Sequence, residues 1–150
     1  AVIGGGPHFW AAPFERNKEF GGRGQPEHVP PEALNFRTKG QPGENTTLVV
    51  VVTDATLTKA QTRRLAIMAQ DGMSRALRPI HTPLDGDIVF AAATCERTLR
   101  DPPYGLAELG ALAADTVARA IARGVYEAKA LPFAGAQPSW RDKFATGSIR

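Results

Sequence analysis

Thr46 is the residue with the clearest chemistry. It follows Asn45 and precedes Thr47, Leu48 and four consecutive valines, Val49 to Val52. A β-branched apolar run of this kind predicts a buried strand. Thr46 then stands at the mouth of that strand, where a polar side chain meets solvent or substrate. Its hydroxyl lies within reach of the carbonyl of Asn45. Attack there turns the peptide into an ester, which water hydrolyses. Thr46 would be left with a free α-amine, whose unperturbed pKa of about 7.7–8.0 lets it act as a base near neutral pH. One residue would supply both nucleophile and general base. Two plainer readings fit the same tripeptide. It could simply begin a strand, and Asn45-Thr46-Thr47 has the form of an N-glycosylation acceptor.

Asp85-Gly86-Asp87 is the second candidate. Gly86 permits a tight turn. Two carboxylates two residues apart point the same way if the backbone is extended. Beside a nucleophile they could orient the hydroxyl, hold the α-ammonium and move protons, and if close together one could stay protonated at neutral pH. Asp-Gly is also an ordinary turn signal ahead of a strand. His81 lies just upstream and suits structural support, because the Thr46 amine already fills the role of base. His8, His28 and His81 have no metal-ligand spacing, so no metal site is expected. Cys95, the only cysteine, excludes an intrachain disulfide and reads as a small apolar core residue after Ala91-Ala92-Ala93. Asp54 reads as structural, paired with an arginine or a helix N-terminus.

Strand and helix must position these groups. The first strand is predicted over Leu48–Thr53. Thr58 reads as an N-cap and residues 60–76 as a helix with Leu65, Met68, Ala69, Gly72 and Met73 toward the core. Arg63, Arg64 and Gln70 face solvent or an interface. Pro79 to Gly86 is a turn region, and Ile88–Ala93 a second buried strand. Asp101-Pro102-Pro103-Tyr104-Gly105 reads as a loop. A long helix follows over 106–128, with Leu106, Leu109, Ala113, Val117, Ala120, Ile121 and Gly124 on one face. Leu131 to Arg150 reads as an extended tail with Trp140 its anchor. Residues 1–43 hold eight of the fifteen glycines and six of the twelve prolines, which makes them loop-rich. Gly4-Gly5-Gly6-Pro7 is a turn rather than a phosphate cradle, since Pro7 has no N–H to donate. Phe9, Trp10, Phe14, Phe20 and Phe36 would anchor this segment to a core or a second subunit, and some could line an apolar cleft. The order β-α-β-α makes an α/β protein. Two strands are too few for an independent sheet, so further strands must come from elsewhere.

Composition narrows the partners. The chain has 150 residues, 43% of them hydrophobic and 22% charged, which fits a folded domain with a core. The net charge is only +3 and the basic residues are dispersed, so a nucleic-acid partner is not expected. No apolar stretch approaches the roughly 20 residues that span a bilayer, so no membrane partner is expected. The opening residues do not read as a basic-then-apolar signal segment, and a cytoplasmic location is the expectation. The chain starts with Ala, and Ala1-Val2-Ile3 reads as the end of a strand, as if the sequence began inside a longer precursor.

Glu44-Asn45-Thr46-Thr47-Leu48, the valine strand, Thr53-Asp54-Ala55, the helix from Lys59, and His81-Thr82-Pro83-Leu84-Asp85-Gly86-Asp87 occur in this order. The set resembles the self-processing aminopeptidases, a family that includes L-aminopeptidase/D-Ala-esterase/amidases, β-peptidyl aminopeptidases and nylon-oligomer hydrolases. The Asn-Thr-Thr junction with a later Asp-Gly-Asp looks most like the last of these, and the likeness covers about Ala1 to Val125. The resemblance implies an αββα four-layer sandwich with strands from two subunits. Residues 1–45 would be the tail of the larger subunit and 46–150 the smaller one. It implies cleavage at Asn45–Thr46, Thr46 as nucleophile, and Asp85 and Asp87 as the acidic pair that supports it. A Lys and an Asn that position the nucleophile and stabilise the oxyanion would lie upstream of Ala1. Small amides, peptides or 6-aminohexanoate oligomers would be substrates, with no cofactor. The assembly would be a homo-oligomer, often a tetramer of cleaved heterodimers. An uncleaved, non-catalytic α/β module for binding or assembly is the alternative.

Overall fold

The valine run does form a strand. In the computed structural model, which describes residues 1–35, 46–83 and 85–145, β1 spans Leu48–Thr56 and β2 spans Ile88–Thr98. They pair in parallel, with Leu48 opposite Ile88 and Val52 opposite Ala92. Between them runs α1, Lys59–Ala76. Its start is fixed by a capping box, in which the Thr58 hydroxyl accepts from the Gln61 N–H and the Gln61 side chain accepts from the Thr58 N–H. The second long helix, α2, covers Pro102–Glu127. It begins a turn earlier than the sequence suggests because prolines at the first two helical positions lack only N–H groups that the helix does not use.

Alternation along the strands sorts their side chains. Val49, Val51, Thr53 and Ala55 of β1 and Val89, Ala91 and Ala93 of β2 turn toward α1 and α2. Leu65, Ala69 and Met73 of α1 and Ala113 and Val117 of α2 complete this first core. The helices approach closely at two glycines. A Cβ on Gly72 would lie 2.1 Å from the backbone oxygen of Ala114, and one on Gly110 would lie 2.4 Å from Met68 Sδ. Arg75 of α1 also bonds Asp115 of α2 through its guanidinium.

The opposite face of the sheet is apolar and uncovered among the described residues. Leu48, Val50 and Val52 are 70%, 66% and 63% exposed, and Phe90 is 54% exposed. The expectation of two buried strands is therefore corrected to half-buried ones among the described residues. Parallel strands carry apolar residues on both faces because both faces are ordinarily covered, and here only the helix side is.

The N-terminal segment packs on α2 through a second core. Phe9, Phe20 and Trp140 are buried together with Ala76, Ala118 and Ala122. Phe9 meets Phe20 edge-on at 5.3 Å between centroids and stacks on Trp140 at 5.5 Å. An ion pair joins the same surfaces. Arg119 grips the Glu19 carboxylate with two N–H groups, one of them at 3.0 Å, and Arg123 lies 3.8 Å from the same group. The Arg119 hydrogen bond holds the Glu19 carboxyl below the usual carboxylate range despite some opposing desolvation. Gly4 and Gly5 have positive φ and make the expected turn, closed by an Ile3 N–H to His8 carbonyl bond of 2.8 Å.

Three further expectations change. The α2 face is set by Gly110, Ala113, Ala114, Val117, Ala118 and Ala122, while Ala120 and Gly124 are exposed. The helix serves two cores, and its smallest residues lie where α1 and the aromatic cluster come nearest. Cys95 is exposed rather than buried. The ladder loses its regular register beyond Thr53, and Cys95 takes a left-handed φ of 61°, which breaks the inward alternation. The C-terminal region contains a short helix, α3, over Trp140–Phe144, capped reciprocally by Ser139 and Asp142. Phe36 lies outside the described residues.

Candidate active site

Parallel pairing brings the two sequence candidates together. The Ile88 N–H donates to the Thr47 carbonyl at 3.0 Å, just ahead of the Leu48–Ile88 pair. Stepping both strands back by two residues sets Thr46 opposite Gly86, and the contact is present. A Cβ added to Gly86 would find the Thr46 side chain at once, with Oγ1 nearest at 2.7 Å. Thr46 itself is exposed, at the mouth of β1 as expected.

Backbone amides hold both carboxylates. The Thr47 N–H donates to Asp87 Oδ1 at 2.8 Å, and the His81 N–H approaches Asp87 Oδ2 at 3.5 Å. The Thr82 N–H donates to Asp85 Oδ2 at 2.7 Å, and the Asp85 N–H returns to the Thr82 carbonyl at 2.9 Å. Asp87 thus ties the residue after Thr46 to the loop before β2. Asp85 closes that loop on itself. His81 takes part through its main chain, at a left-handed φ of 51° that is uncommon for a non-glycine residue. Asp54 pairs with Arg97 across the strands at 3.0 Å.

Asn45 lies outside the described residues, as does Leu84. Sequence reasoning missed the amides of Thr47, His81 and Thr82 as carboxylate donors. It also read Gly86 only as a turn residue. The signal available was the strand register, which becomes visible once two apolar runs are aligned in parallel. Among the described residues, no three or more His, Cys, Asp or Glu side chains gather as metal ligands. A groove of about 500 Å³ lies elsewhere, between α1 and β2, walled by Leu57, Lys59, Arg63, Val89, Phe90 and Cys95. It includes neither Thr46 nor the two aspartates. No helix among the described residues is long and apolar enough to cross a membrane.

A β-α-β unit with a hydroxyl and two amide-bound carboxylates at its strand mouths is a mixed α/β arrangement suited to hydrolytic chemistry. Residues 11–137 match peptidase family S58, and the chain belongs to that family. It is 45% identical over 112 residues to a protein of Mycobacterium tuberculosis described as an uncharacterized aminopeptidase, covering 67% of this chain and 31% of that protein. A second uncharacterized aminopeptidase, from Mycobacterium leprae, is 47% identical over 97 residues, covering 58% of this chain and 27% of that one. A 6-aminohexanoate-oligomer endohydrolase of Paenarthrobacter ureafaciens is 34% identical over 59 residues, covering 39% of this chain and 17% of that enzyme. The chain spans about a third of the length of the first of these relatives.

Proposed function

We propose that this chain is the nucleophile-bearing part of a peptide or amide hydrolase that activates itself by cutting the Asn45–Thr46 bond. The observation that carries the reading is the seating of Thr46 against Gly86 with its neighbour Thr47 bonded to Asp87 at 2.8 Å. In the precursor, Thr46 Oγ attacks the Asn45 carbonyl carbon. The C–N bond breaks, the nitrogen takes the hydroxyl proton, and an ester links Asn45 to Oγ. Water hydrolyses that ester, leaving an Asn45 carboxylate and a Thr46 with free amine and hydroxyl.

The mature reaction repeats the attack on a substrate. Thr46 Oγ adds to the amide carbonyl while its own amine takes the proton. That proton passes to the departing substrate amine. The acyl-enzyme is then hydrolysed by water, with the same amine as base. Asp85 and Asp87 orient Thr46 and its ammonium form. Family membership and the names of the relatives favour short peptides or 6-aminohexanoate oligomers as substrates.

The uncovered apolar face of the sheet supports the finer architecture. By strand alternation Thr46 shares that face with Leu48, Val50 and Val52. A second sheet packed there would complete an αββα sandwich and bring oxyanion donors over the hydroxyl. In this reading residues 1–45 end the larger subunit, 46–150 form the smaller, and cleaved heterodimers assemble into homo-oligomers, as tetramers.

The test is the denatured mass of the purified protein with N-terminal sequencing of each species. A species beginning Thr46-Thr47-Leu48, absent in Thr46→Ala, is expected. Persistent cutting in Thr46→Ala would overturn the nucleophile assignment. An uncut protein after prolonged incubation would favour a binding or assembly module.

A further inference from the structure

Gly86 stands in the Asp-Gly-Asp segment, yet its backbone lies outside the left-handed region that glycine alone adopts freely. Conformation therefore does not demand glycine here. Space does. A Cβ on Gly86 would have three nearest neighbours, all side-chain atoms of Thr46: Oγ1 at 2.7 Å, Cγ2 at 3.1 Å and Cβ at 3.5 Å. Ordinary contact begins near 3.4 Å, so both branches of the threonine already occupy the space that a Cβ at residue 86 would need.

We propose that Gly86 is a positioning residue for the Thr46 hydroxyl, forming a floor on which Oγ1 and the methyl seat together and thereby holding one χ1 rotamer. The consequence for chemistry rests on Thr46 being the nucleophile; the packing does not. A threonine is stiff at χ1 because two heavy atoms branch from Cβ. With both branches against the floor, a methyl added at residue 86 forces Oγ1 outward or turns the side chain into another well. Either change takes the hydroxyl off the line of attack. Serine lacks the methyl, so only its hydroxyl meets the new Cβ, and it can ease away within its own χ1 well without driving a second branch into the floor.

Two readouts test this in the complete protein. The first is the rate of cutting at residue 45–46, followed by intact mass. Gly86→Ala is expected to slow it by about 10²-fold, the usual scale for misplacing a reacting group by an ångström or less. The same change in a Thr46→Ser background is expected to slow it by less than tenfold, the smaller factor that room for the hydroxyl allows. The second readout is the melting temperature, which needs no activity. Gly86→Ala is expected to lower it when Thr46 is present and to leave it unchanged in Thr46→Ala, where the offending atoms are gone. A Gly86→Ala protein that folds only in the Thr46→Ala background supports the proposal. Equal melting penalties in both backgrounds, failure to fold in both, or cutting by Gly86→Ala at the wild-type rate would overturn it. If Thr46→Ala still cuts, the nucleophile reading fails by itself, and the melting cycle still decides the role of Gly86.

Discussion

Asp87→Ala is the sharpest perturbation of the site. Asp87 Oδ1 accepts the Thr47 N–H at 2.8 Å, whereas the His81 N–H stands at 3.5 Å from Oδ2, the outer limit of a hydrogen bond. The first contact therefore carries nearly all the energy. A hydrogen bond to a charged group contributes about 1.5–3 kcal/mol. Thr47 is half-buried, so water can partly replace the carboxylate, and the lower end applies, about 1.5 kcal/mol. For a domain of 150–250 residues each kcal/mol moves the melting temperature by roughly 2–4 °C, which gives a fall of about 3–6 °C. Thr46 is one residue away, and under the proposed function loss of its neighbour's anchor should slow cutting at residue 45–46 by about 10²-fold. Asp87→Asn keeps an oxygen for Thr47 and should lose about half the stability that alanine loses. Calorimetry and intact-mass time courses measure both quantities. An alanine variant that melts and cuts like the wild type would refute the reasoning. One that melts normally but no longer cuts would refute the anchoring role and make the carboxylate a chemical participant only.

Glu19→Gln should loosen the N-terminal segment from α2, and its effect should depend on pH. The Arg119 hydrogen bond depresses the Glu19 pKa, so the pair stabilises the fold above the ordinary glutamate pKa and ceases to do so as pH falls through the folded value. The melting difference between variant and wild type is expected at neutral pH and should vanish in acid; a constant difference across the titration would exclude the ion pair as its source. Gly72→Ala should cost about 1–3 kcal/mol in urea unfolding, because the new methyl would sit 2.1 Å from the Ala114 carbonyl oxygen. A neutral result would mean the helices separate freely. Trp140→Ala should cost about 3–5 kcal/mol. Trp140→Phe should cost much less, because it retains a ring and removes a buried N–H with no hydrogen-bond partner among the described residues. Equal losses in the two variants would show that the indole nitrogen matters after all.

Local signals carried much of the fold. Thr58 with Gln61, and the spacing of Leu65, Ala69, Gly72 and Met73, place α1 to within a residue, because capping and helical periodicity are properties of neighbouring residues. Ser139 with Asp142 carried a similar signal for α3, hidden in a region read as an extended tail. The α2 start was missed because two prolines suggest a loop unless they occupy the first helical turn. Cys95 was misread because a small apolar residue just after Ala91-Ala92-Ala93 suggests burial, whereas the ladder becomes irregular there and turns it outward. The acidic pair and Thr46 could be named from sequence, but their meeting depends on a strand register across some forty intervening residues. Nothing in the local sequence shows that Phe9, Phe20 and Trp140 share one core either, since that contact joins the two ends of the chain.

Under the proposed cut at residue 45–46, the grip of α2 on the N-terminal segment would change character. In the uncut chain Phe9, Phe20 and Glu19 are tethered to Trp140 and Arg119, and the connecting residues set a high effective concentration for their contact. After such a cut the same surfaces would become two molecules, and their union would obey mass action. Dilution, which cannot separate an uncut chain, would then act on the cut one. Acid should assist it by weakening the Glu19–Arg119 pair, while the stacked rings resist. A single peptide bond would thus convert a folding equilibrium into an association equilibrium.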